Sequence, residues 1–478
     1  MARTAEDVDL PLRVGRPRRG DLREQVAEQL RSALRAGAFA PEQRLPSSRA
    51  LAQHLQVSRA TVVAALAELD GEGWVVSRHG SGTYVSDGIE LSTPEPPARD
   101  VTPAGSRGRG ARDPGTPAHR RVDLTPGMPD TTGLVDPSWR RAWREAVSAG
   151  PPSGAPDLAG EAVLRAALAA HVRRTRGIPC TAEQVLVTSG TGDAVRLLAD
   201  ATGIAGGVAV VEEPGYPSAR DVLRLAGARL HGLPVDDDGA VVDALADAPQ
   251  DTRMLYLTPS HQYPLGGRLP VQRRLDVLRW AAERDALVVE DDYDGEFRFG
   301  ALPVPALASL DDGGRVAYVG TLSKAVAPGL RLGFVVVGRE MLDAAVTVRR
   351  ATGIPVSEVV QRAMGAYVGG GALRRHVARK RRLYAERRTR LARRLAALGL
   401  PIEVRGLEAG LHAVVTLPPD RATTDLVRAL DRRGVVVADL DEYRMLPDPS
   451  RPGLVIGYGH ASAAELDLAV DALAAALR

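Results

Sequence analysis

Between Val122 and Arg478 short β-branched runs alternate with longer amphipathic segments, and this alternation limits the fold more than any other feature of the chain. The runs are "QVLVTSG", "GVAVVEEPG", "RMLYLTPS", "ALVVEDDY", "RVAYVGTLSK" and "RLGFVVVG", mostly bounded by turn or polar residues. Between several of them lie segments such as "PVQRRLDVLRWAAERD". Strands joined through helices pair in parallel, because the crossover carries the chain back to the same end of the sheet. The pattern predicts a mainly parallel sheet wrapped by helices. After a long helical stretch, "GLHAVVTLP", "GVVVADL" and "GLVIGYG" predict a smaller α+β subdomain at the C-terminus.

Upstream the pattern changes twice. From Arg19 to Asp87, "LREQVAEQLRSALRAGAF" places Leu22, Val26, Leu30 and Leu34 on one helical face that stops near Gly37. Ser47 or Ser48 can cap a second helix and Ser58 a third, the latter with Val62, Ala65, Leu66 and Leu69 inward. "VVSRHGSGTYVS" reads as two short strands around a glycine turn. From Gly88 to Arg121 the chain is rich in Pro, Gly, Ala and Arg and nearly empty of large apolar residues. Such a segment buries too little surface to offset its ordering entropy, which predicts a flexible linker over 88–121.

At 478 residues the chain is too long for one ordinary core. Its single cysteine, Cys180, excludes a disulfide framework or a thiolate metal site within one chain, and no metal is expected. The first twenty residues have no apolar core of a signal peptide, which predicts a cytoplasmic protein. The net charge of +3 does not by itself announce nucleic acid, so any such partner must be argued from where the charges sit.

Two short helices with a tight turn between them fit a helix-turn-helix, and the hairpin after them fits a wing. The recognition helix must present polar residues in its first turn to reach base edges, and here those are Ser58, Arg59 and Thr61. Arg44, Arg49 and Arg78 are candidate phosphate partners, and Gly82 lies in the wing turn. Eight arginines balance eight acids over 19–87, so the same spacing also describes a small helical domain with solvated charges.

In "YVGTLSKAVAPGLRLGF", Lys324 follows an apolar run, with Thr321 and Ser323 before it and Arg331 after it. An amine poised as a nucleophile toward an aldehyde needs help from its surroundings. If the aldehyde is pyridoxal phosphate, the site also needs a carboxylate for the ring nitrogen, a donor for the phenolic oxygen and a cup for the phosphate. "VVEDDYDGEF" offers Asp291 and, two residues on along an extended chain, Tyr293. "VTSGTGDAVRLL" offers amides near Gly190, Thr191 and Gly192 at a helix start, and Tyr216 can stack on the ring.

The quoted front end, with "LPSSR", "VSRATV" and "GSGTYV" in register, resembles the GntR-type winged helix-turn-helix over roughly the first ninety residues. The pieces "SGTGDA", "PGYP", "PSHQYPLGG", "EDDYDGEF" and "TLSKAVAPGLRLGF" resemble the fold-type I aminotransferases over 122–478. Together the two halves resemble the MocR family of regulators. The resemblance implies an α/β chain: a winged helix, a linker and an aminotransferase-like domain binding pyridoxal 5'-phosphate. It implies an imine on Lys324, Asp291 on the ring nitrogen, Tyr293 on the phenolic oxygen, Ser323 and Arg331 on the phosphate, and a stacking Tyr216. It also implies double-stranded operator DNA as a partner and a head-to-tail homodimer.

The sequence departs from the aminotransferases at three points. Tyr263 replaces the usual asparagine before proline, Val455 falls about where the substrate-carboxylate arginine stands, and Ser218 replaces a second arginine of a GABA sensor. Without a bidentate clamp a substrate is poorly oriented, which predicts at most a residual transaminase half-reaction. A sensor of pyridoxal phosphate of the PdxR type, or of an amine or amino acid bound with it, is the leading expectation. An active aminotransferase with an accessory DNA-binding domain is the alternative. The arginine-rich stretch from Leu373 to Leu395 reads either as the solvated face of a long helix or as extra phosphate contacts from Arg379, Arg381 and Arg382.

Overall fold

The computed structural model describes residues 22–35, 38–78, 81–87, 121–150, 154–299, 305–419, 421–448 and 450–478. Two compact units form, within 1–114 and within 115–478. The expected linker lies outside the described residues except for Arg121, as do Gly37 and the middle of the wing turn.

The first unit holds three helices, α1 (Leu22–Arg35), α2 (Ser48–His54) and α3 (Arg59–Gly71), and an antiparallel hairpin, β1 (Val75–Arg78) and β2 (Gly82–Val85). The four-residue spacing in α1 buries Val26, Leu30 and Leu34 against Leu51, Val62, Leu66 and Leu69. Ser47, not Ser48, caps α2 by accepting from the Ala50 amide, and Ser58 caps α3 by accepting from the Thr61 amide.

The second unit opens with β3 (Val122–Asp123), α4 (Pro137–Ser148) and α5 (Ala162–Arg176). Its sheet strands are β4 (Val185–Thr188), β5 (Val208–Glu213), β6 (Arg229–Asp236), β7 (Gly239–Ala240), β8 (Thr252–Leu257), β9 (Leu287–Asp291), β10 (Val316–Thr321) and β11 (Gly333–Val336). Their order across the sheet is β4-β11-β10-β9-β8-β5-β6-β7. From β10 to β6 every pairing is parallel, and β11 runs antiparallel between β4 and β10. Because β11 opposes both neighbours, β4 points the same way as the parallel strands. Among the helices on the sheet's two faces are α6 (Thr191–Ala201), α7 (Pro217–Leu225), α8 (Val271–Arg284) and α9 (Arg339–Thr352). Covering both faces explains why β4, β8 and β9 read as continuous apolar runs rather than alternating ones.

Helices α10 (Glu358–Gly369) and α11 (Ala372–Ala396) lead to a smaller lobe. It holds β12 (Glu403–Arg405), β13 (His412–Thr416), α12 (Thr423–Arg432), β14 (Val435–Val436), β15 (Ala438–Asp439), β16 (Gly453–Gly457) and α13 (Ala463–Leu477). Its main sheet is antiparallel, ordered β12-β13-β16-β15, and β14 pairs in parallel with β3. The chain therefore enters the unit through the C-terminal lobe, a pairing across more than 300 residues of sequence that no local pattern signals. Among the described residues no helix is long and apolar enough to cross a membrane.

The arginine-rich stretch is α11, and much of its charge is matched by acids of this same unit. Arg379 pairs with Asp136 at 3.2 Å, Arg381 with Glu296 at 3.7 Å, and Lys380 and Arg387 are buried against Asp130. Two of the three arginines considered for phosphate contacts are thus already engaged within the unit.

Candidate functional site

In an open parallel sheet the strands' carboxyl ends converge on one crevice. One cavity of about 170 Å³ sits there, with Gly190, Thr191 and Gly192 following β4, Tyr216 following β5, Thr258 following β8, Asp291 ending β9, and Thr321, Ser323 and Lys324 at or after the end of β10. Arg331 reaches the same cavity just before antiparallel β11. All ten residues picked from the sequence as cofactor contacts line it, together with Gly127, Tyr263, Asp294, Pro328, Leu411 and His412.

Lys324 is half-buried and donates from Nζ to the Gly127 carbonyl at 2.6 Å. Burial of its ammonium holds it below the ordinary lysine value, against the attraction of Asp291 and Asp294. It is one of only two lysines in the chain.

Asp291 is 3% exposed and pushed up to about 7, chiefly by burial and despite the 2.5 Å hydrogen bond its Oδ2 accepts from Tyr256. Its Oδ1 is buried with no hydrogen-bond partner in the unit. A buried acceptor left unmatched is costly, so this oxygen is the strongest single mark of a missing donor. Asp292, next along, accepts from Arg176 and from Tyr318 at 2.7 Å; Arg176 and Arg298 outweigh burial and hold it below the ordinary carboxylate range.

Tyr293 lines the cavity, but not for the reason its spacing suggested. Strand β9 ends at Asp291, and Tyr293 sits in the bend beyond it. Its hydroxyl is placed instead by His261, whose Nδ1 lies 2.8 Å away. The same Nδ1 is 2.6 Å from Asp294 Oδ2, and since an ionised carboxylate only accepts, this nitrogen carries the proton. Burial opposes charge on His261, and Asp294 outweighs it and raises the imidazole. His412 is the opposite case: burial and neighbouring His261 push it down to about 4, and its Nε2 donates to the Pro264 carbonyl at 2.9 Å. Tyr263, at the usual asparagine position, packs edge-on between Tyr216 at 5.7 Å and Tyr293 at 5.2 Å. Thr258 donates to buried Glu212 at 2.5 Å and accepts from the Tyr263 amide at 3.0 Å.

The other end of the cavity is a cup for an anion. Gly190 caps α6 with φ +112°, a backbone that favours glycine, and no side chain caps the first-turn amides. A Cβ on Gly333 would stand 2.9 Å from Gly190 Cα, so β11 can pass only as glycine. The Ser323 amide donates to Thr321 Oγ1 at 3.1 Å, which shapes the turn carrying both hydroxyls. Arg331 is exposed, adopts φ +48°, and has no carboxylate within ion-pairing distance among the described residues. A non-glycine residue held in the left-handed region beside a cavity suggests that its position matters more than its comfort.

These features fit pyridoxal phosphate: a half-buried amine of lowered basicity, a buried carboxylate oxygen without a donor, aromatic walls and a helix-start cup beside a guanidinium with no carboxylate partner among the described residues. Sequence reasoning missed Gly127, Thr258, His261, Asp294 and His412. Gly127 acts through its backbone, which carries no side-chain signal; Thr258, His261, Asp294 and His412 stand within the quoted stretches, where the pattern gives strand and turn but not which side chain reaches the cavity.

On the first unit, Arg49, Ser58 and Arg59 are exposed around the start of α3. Thr61 is less available than its spacing suggested, since its hydroxyl lies 2.8 Å from Ser58 Oγ within the cap. Arg59 donates to Ser48 Oγ at 3.2 Å. In the wing, Arg78 lies 4.8 Å over the Tyr84 ring, and a Cβ on Gly82 would come 2.8 Å from Arg44 Nε.

Comparison with known proteins agrees with both halves. The aminotransferase class I and II family matches residues 121–473, and the bacterial regulatory proteins of the gntR family match 22–85. The pyridoxine biosynthesis transcriptional regulator PdxR of Corynebacterium glutamicum is 36% identical over 94% of this chain and 95% of its own length. The probable rhizopine catabolism regulatory protein MocR of Rhizobium meliloti is 36% identical over 91% of this chain and 89% of its own. The kynurenine aminotransferase of Pyrococcus horikoshii superposes with a TM-score of 0.68 at 24% identity, over 75% of this chain and 90% of that one, and so shares the fold. The chain belongs to the MocR family of transcriptional regulators, in which a GntR-type DNA-binding domain is joined to an aminotransferase-like domain of a family that binds pyridoxal phosphate.

Proposed function

We propose that this regulator senses pyridoxal phosphate, alone or with an amine or amino acid, through covalent capture at Lys324. The observation that carries the proposal is the convergence on one cavity around Lys324 of all ten residues expected there from the sequence. In this reading residues 19–87 grip operator DNA, 88–121 tether, 122–478 sense, and the working species is a head-to-tail homodimer.

Bound pyridoxal phosphate supplies an aldehyde carbon and an electron-poor ring. Lys324 would offer it an amine whose burial favours the neutral, nucleophilic form. Asp291 Oδ1, buried without a donor, would hold the ring nitrogen, while the Tyr256 hydroxyl fixes the carboxylate from its other oxygen. Tyr293, oriented by His261 and Asp294, would donate to the phenolic oxygen. Ser323, Thr321, Arg331 and the amides of Gly190, Thr191 and Gly192 hold the phosphate, and Tyr216 covers the ring. Arg44, Arg49, Ser58, Arg59, Thr61, Arg78 and Gly82 form the DNA-facing set.

The departures noted in the sequence favour sensing over turnover. Val455 is fully buried within β16, and Arg444 is spent on Asp441 and the Arg451 carbonyl, 2.9 Å away. Arg331 is the one arginine lining the cavity among the described residues, and the phosphate takes it. Nothing else there offers a fork for a substrate carboxylate.

Borohydride reduction after incubation with pyridoxal phosphate, followed by peptide mass spectrometry, tests the site. The result expected is one pyridoxyl adduct on Lys324, none on Lys380, and none in Lys324→Ala. An unmodified Lys324 at saturating cofactor would overturn the assignment.

A further inference from the structure

Both lysines of the chain reach the same short piece of backbone. Lys324 Nζ donates to the Gly127 carbonyl at 2.6 Å. Lys380 Nζ donates to Asp130 Oδ1 at 2.7 Å and to the Thr132 carbonyl at 2.8 Å. Asp130 also accepts from Arg387 at 2.5 Å, and its amide donates to the Tyr384 hydroxyl at 2.9 Å. On the other side, the Leu124 amide donates to Val436 at 2.8 Å and the Leu124 carbonyl accepts from Gly457 at 2.7 Å.

Leu124 and Asp130 are thus firmly anchored, and Thr125–Pro126–Gly127–Met128–Pro129 spans between them. Two prolines remove donors from this span, and the Thr125 amide bonds locally to Asp123. Among the described residues, the one hydrogen bond linking Thr125–Pro129 to a distant part of the unit is the bond from Lys324. The span lies close against glycines: a Cβ on Gly457 would stand 2.5 Å from the Thr125 carbonyl, and one on Gly459 2.5 Å from that of Met128. In sequence, it follows the expected linker after only β3 and Leu124.

We propose that Thr125–Pro129 is a strap tied down by the cofactor lysine: a free Lys324 holds it through Gly127, and capture of pyridoxal phosphate lets it go. The proposal rests on the reading that Lys324 captures the cofactor. Capture joins Nζ to the aldehyde carbon as a C=N bond, and the aldehyde oxygen leaves as water with two hydrogens of the neutral amine. The nitrogen then holds no hydrogen, or one if the imine is protonated, fixed in the plane of the double bond. The donor that Gly127 used is gone or redirected, and the state of the lysine passes to the chain leading toward the DNA-binding unit.

Hydrogen exchange by mass spectrometry on the full chain, with and without pyridoxal phosphate, tests this. In the wild type, cofactor raises the exchange rate of the peptide covering Leu124–Asp130 several-fold, while α11 is unchanged. Gly127→Ala places a Cβ 2.4 Å from Lys324 Nζ at φ +82°, so the amine must shift and the tie to the strap is lost from the start. That variant exchanges fast without cofactor and shows no further rise. Unchanged or slower exchange in wild type, with the adduct present on Lys324, would overturn the strap and leave the cofactor site standing. Absence of the adduct would overturn both.

Discussion

Asp130→Ala destabilises the sensing unit by about 3–5 kcal/mol, the cost of leaving buried charges without their partner. Asp130 is 6% exposed and holds Lys380 and Arg387, which are 5% and 9% exposed. Burial alone would raise its carboxyl, but hydrogen bonds from Lys380, Thr132 and Arg387 overrule it and keep it well below the ordinary carboxylate range. A group depressed in this way stabilises the fold above its unfolded value and loses that contribution as pH falls. The difference between wild type and Asp130→Ala therefore narrows in acid. Urea unfolding of the full chain at pH 7 and pH 3, below the unfolded carboxyl value of 3.8, reads both effects; a loss below about 1 kcal/mol at pH 7 would contradict the role given to this cluster.

The second large effect has the opposite sign. Asp291→Asn stabilises the cofactor-free protein at pH 8 while removing its hold on pyridoxal phosphate. A buried carboxyl lifted from 3.8 to about 7 resists ionisation, and forcing the charge costs up to about 4 kcal/mol. Its folded value is raised, so its contribution is present below the unfolded value and is lost as pH rises from about 4 through 7. Asparagine carries no charge to bury, and it keeps an acceptor for Tyr256. Thermal melts of cofactor-free protein should show the variant well ahead at pH 8, less far ahead at pH 5, and level with wild type only below about pH 4. Added pyridoxal phosphate raises the melting point of wild type by mass action and leaves the variant nearly unmoved. A variant less stable than wild type at pH 8 would show that Asp291 is not a strained, ligand-seeking charge.

Much of this site was legible because the parallel sheet gathers strand ends. Once "ALVVEDDY" and "RVAYVGTLSK" are neighbouring parallel strands, Asp291 and Lys324 come to the same end of the sheet. The helix-start glycines and Tyr216 follow from the same rule. What stayed hidden came from outside it. Gly127 contributes a carbonyl from a segment 197 residues upstream of Lys324. His412 arrives from the antiparallel lobe, and Tyr293 is set by a histidine 32 residues away rather than by strand period. The arginines of α11 looked like one surface because the acids that neutralise them, Asp130, Asp136, Glu296, Asp467 and Asp471, are scattered over more than 300 residues. Pattern along a chain reports what one element does to its neighbours in sequence; contacts between distant loops leave no such record.

We propose that Lys324 governs DNA binding by the winged-helix unit. A titration of the full-length protein onto the DNA upstream of its own coding sequence, at fixed salt, with and without pyridoxal phosphate, puts this to the test. Wild type should change its affinity on adding the cofactor, by tenfold for every 1.4 kcal/mol of preference between its states, whereas Lys324→Ala should bind with the cofactor-free affinity under both conditions. Identical wild-type curves with and without the cofactor, or an undiminished response in Lys324→Ala, would contradict it.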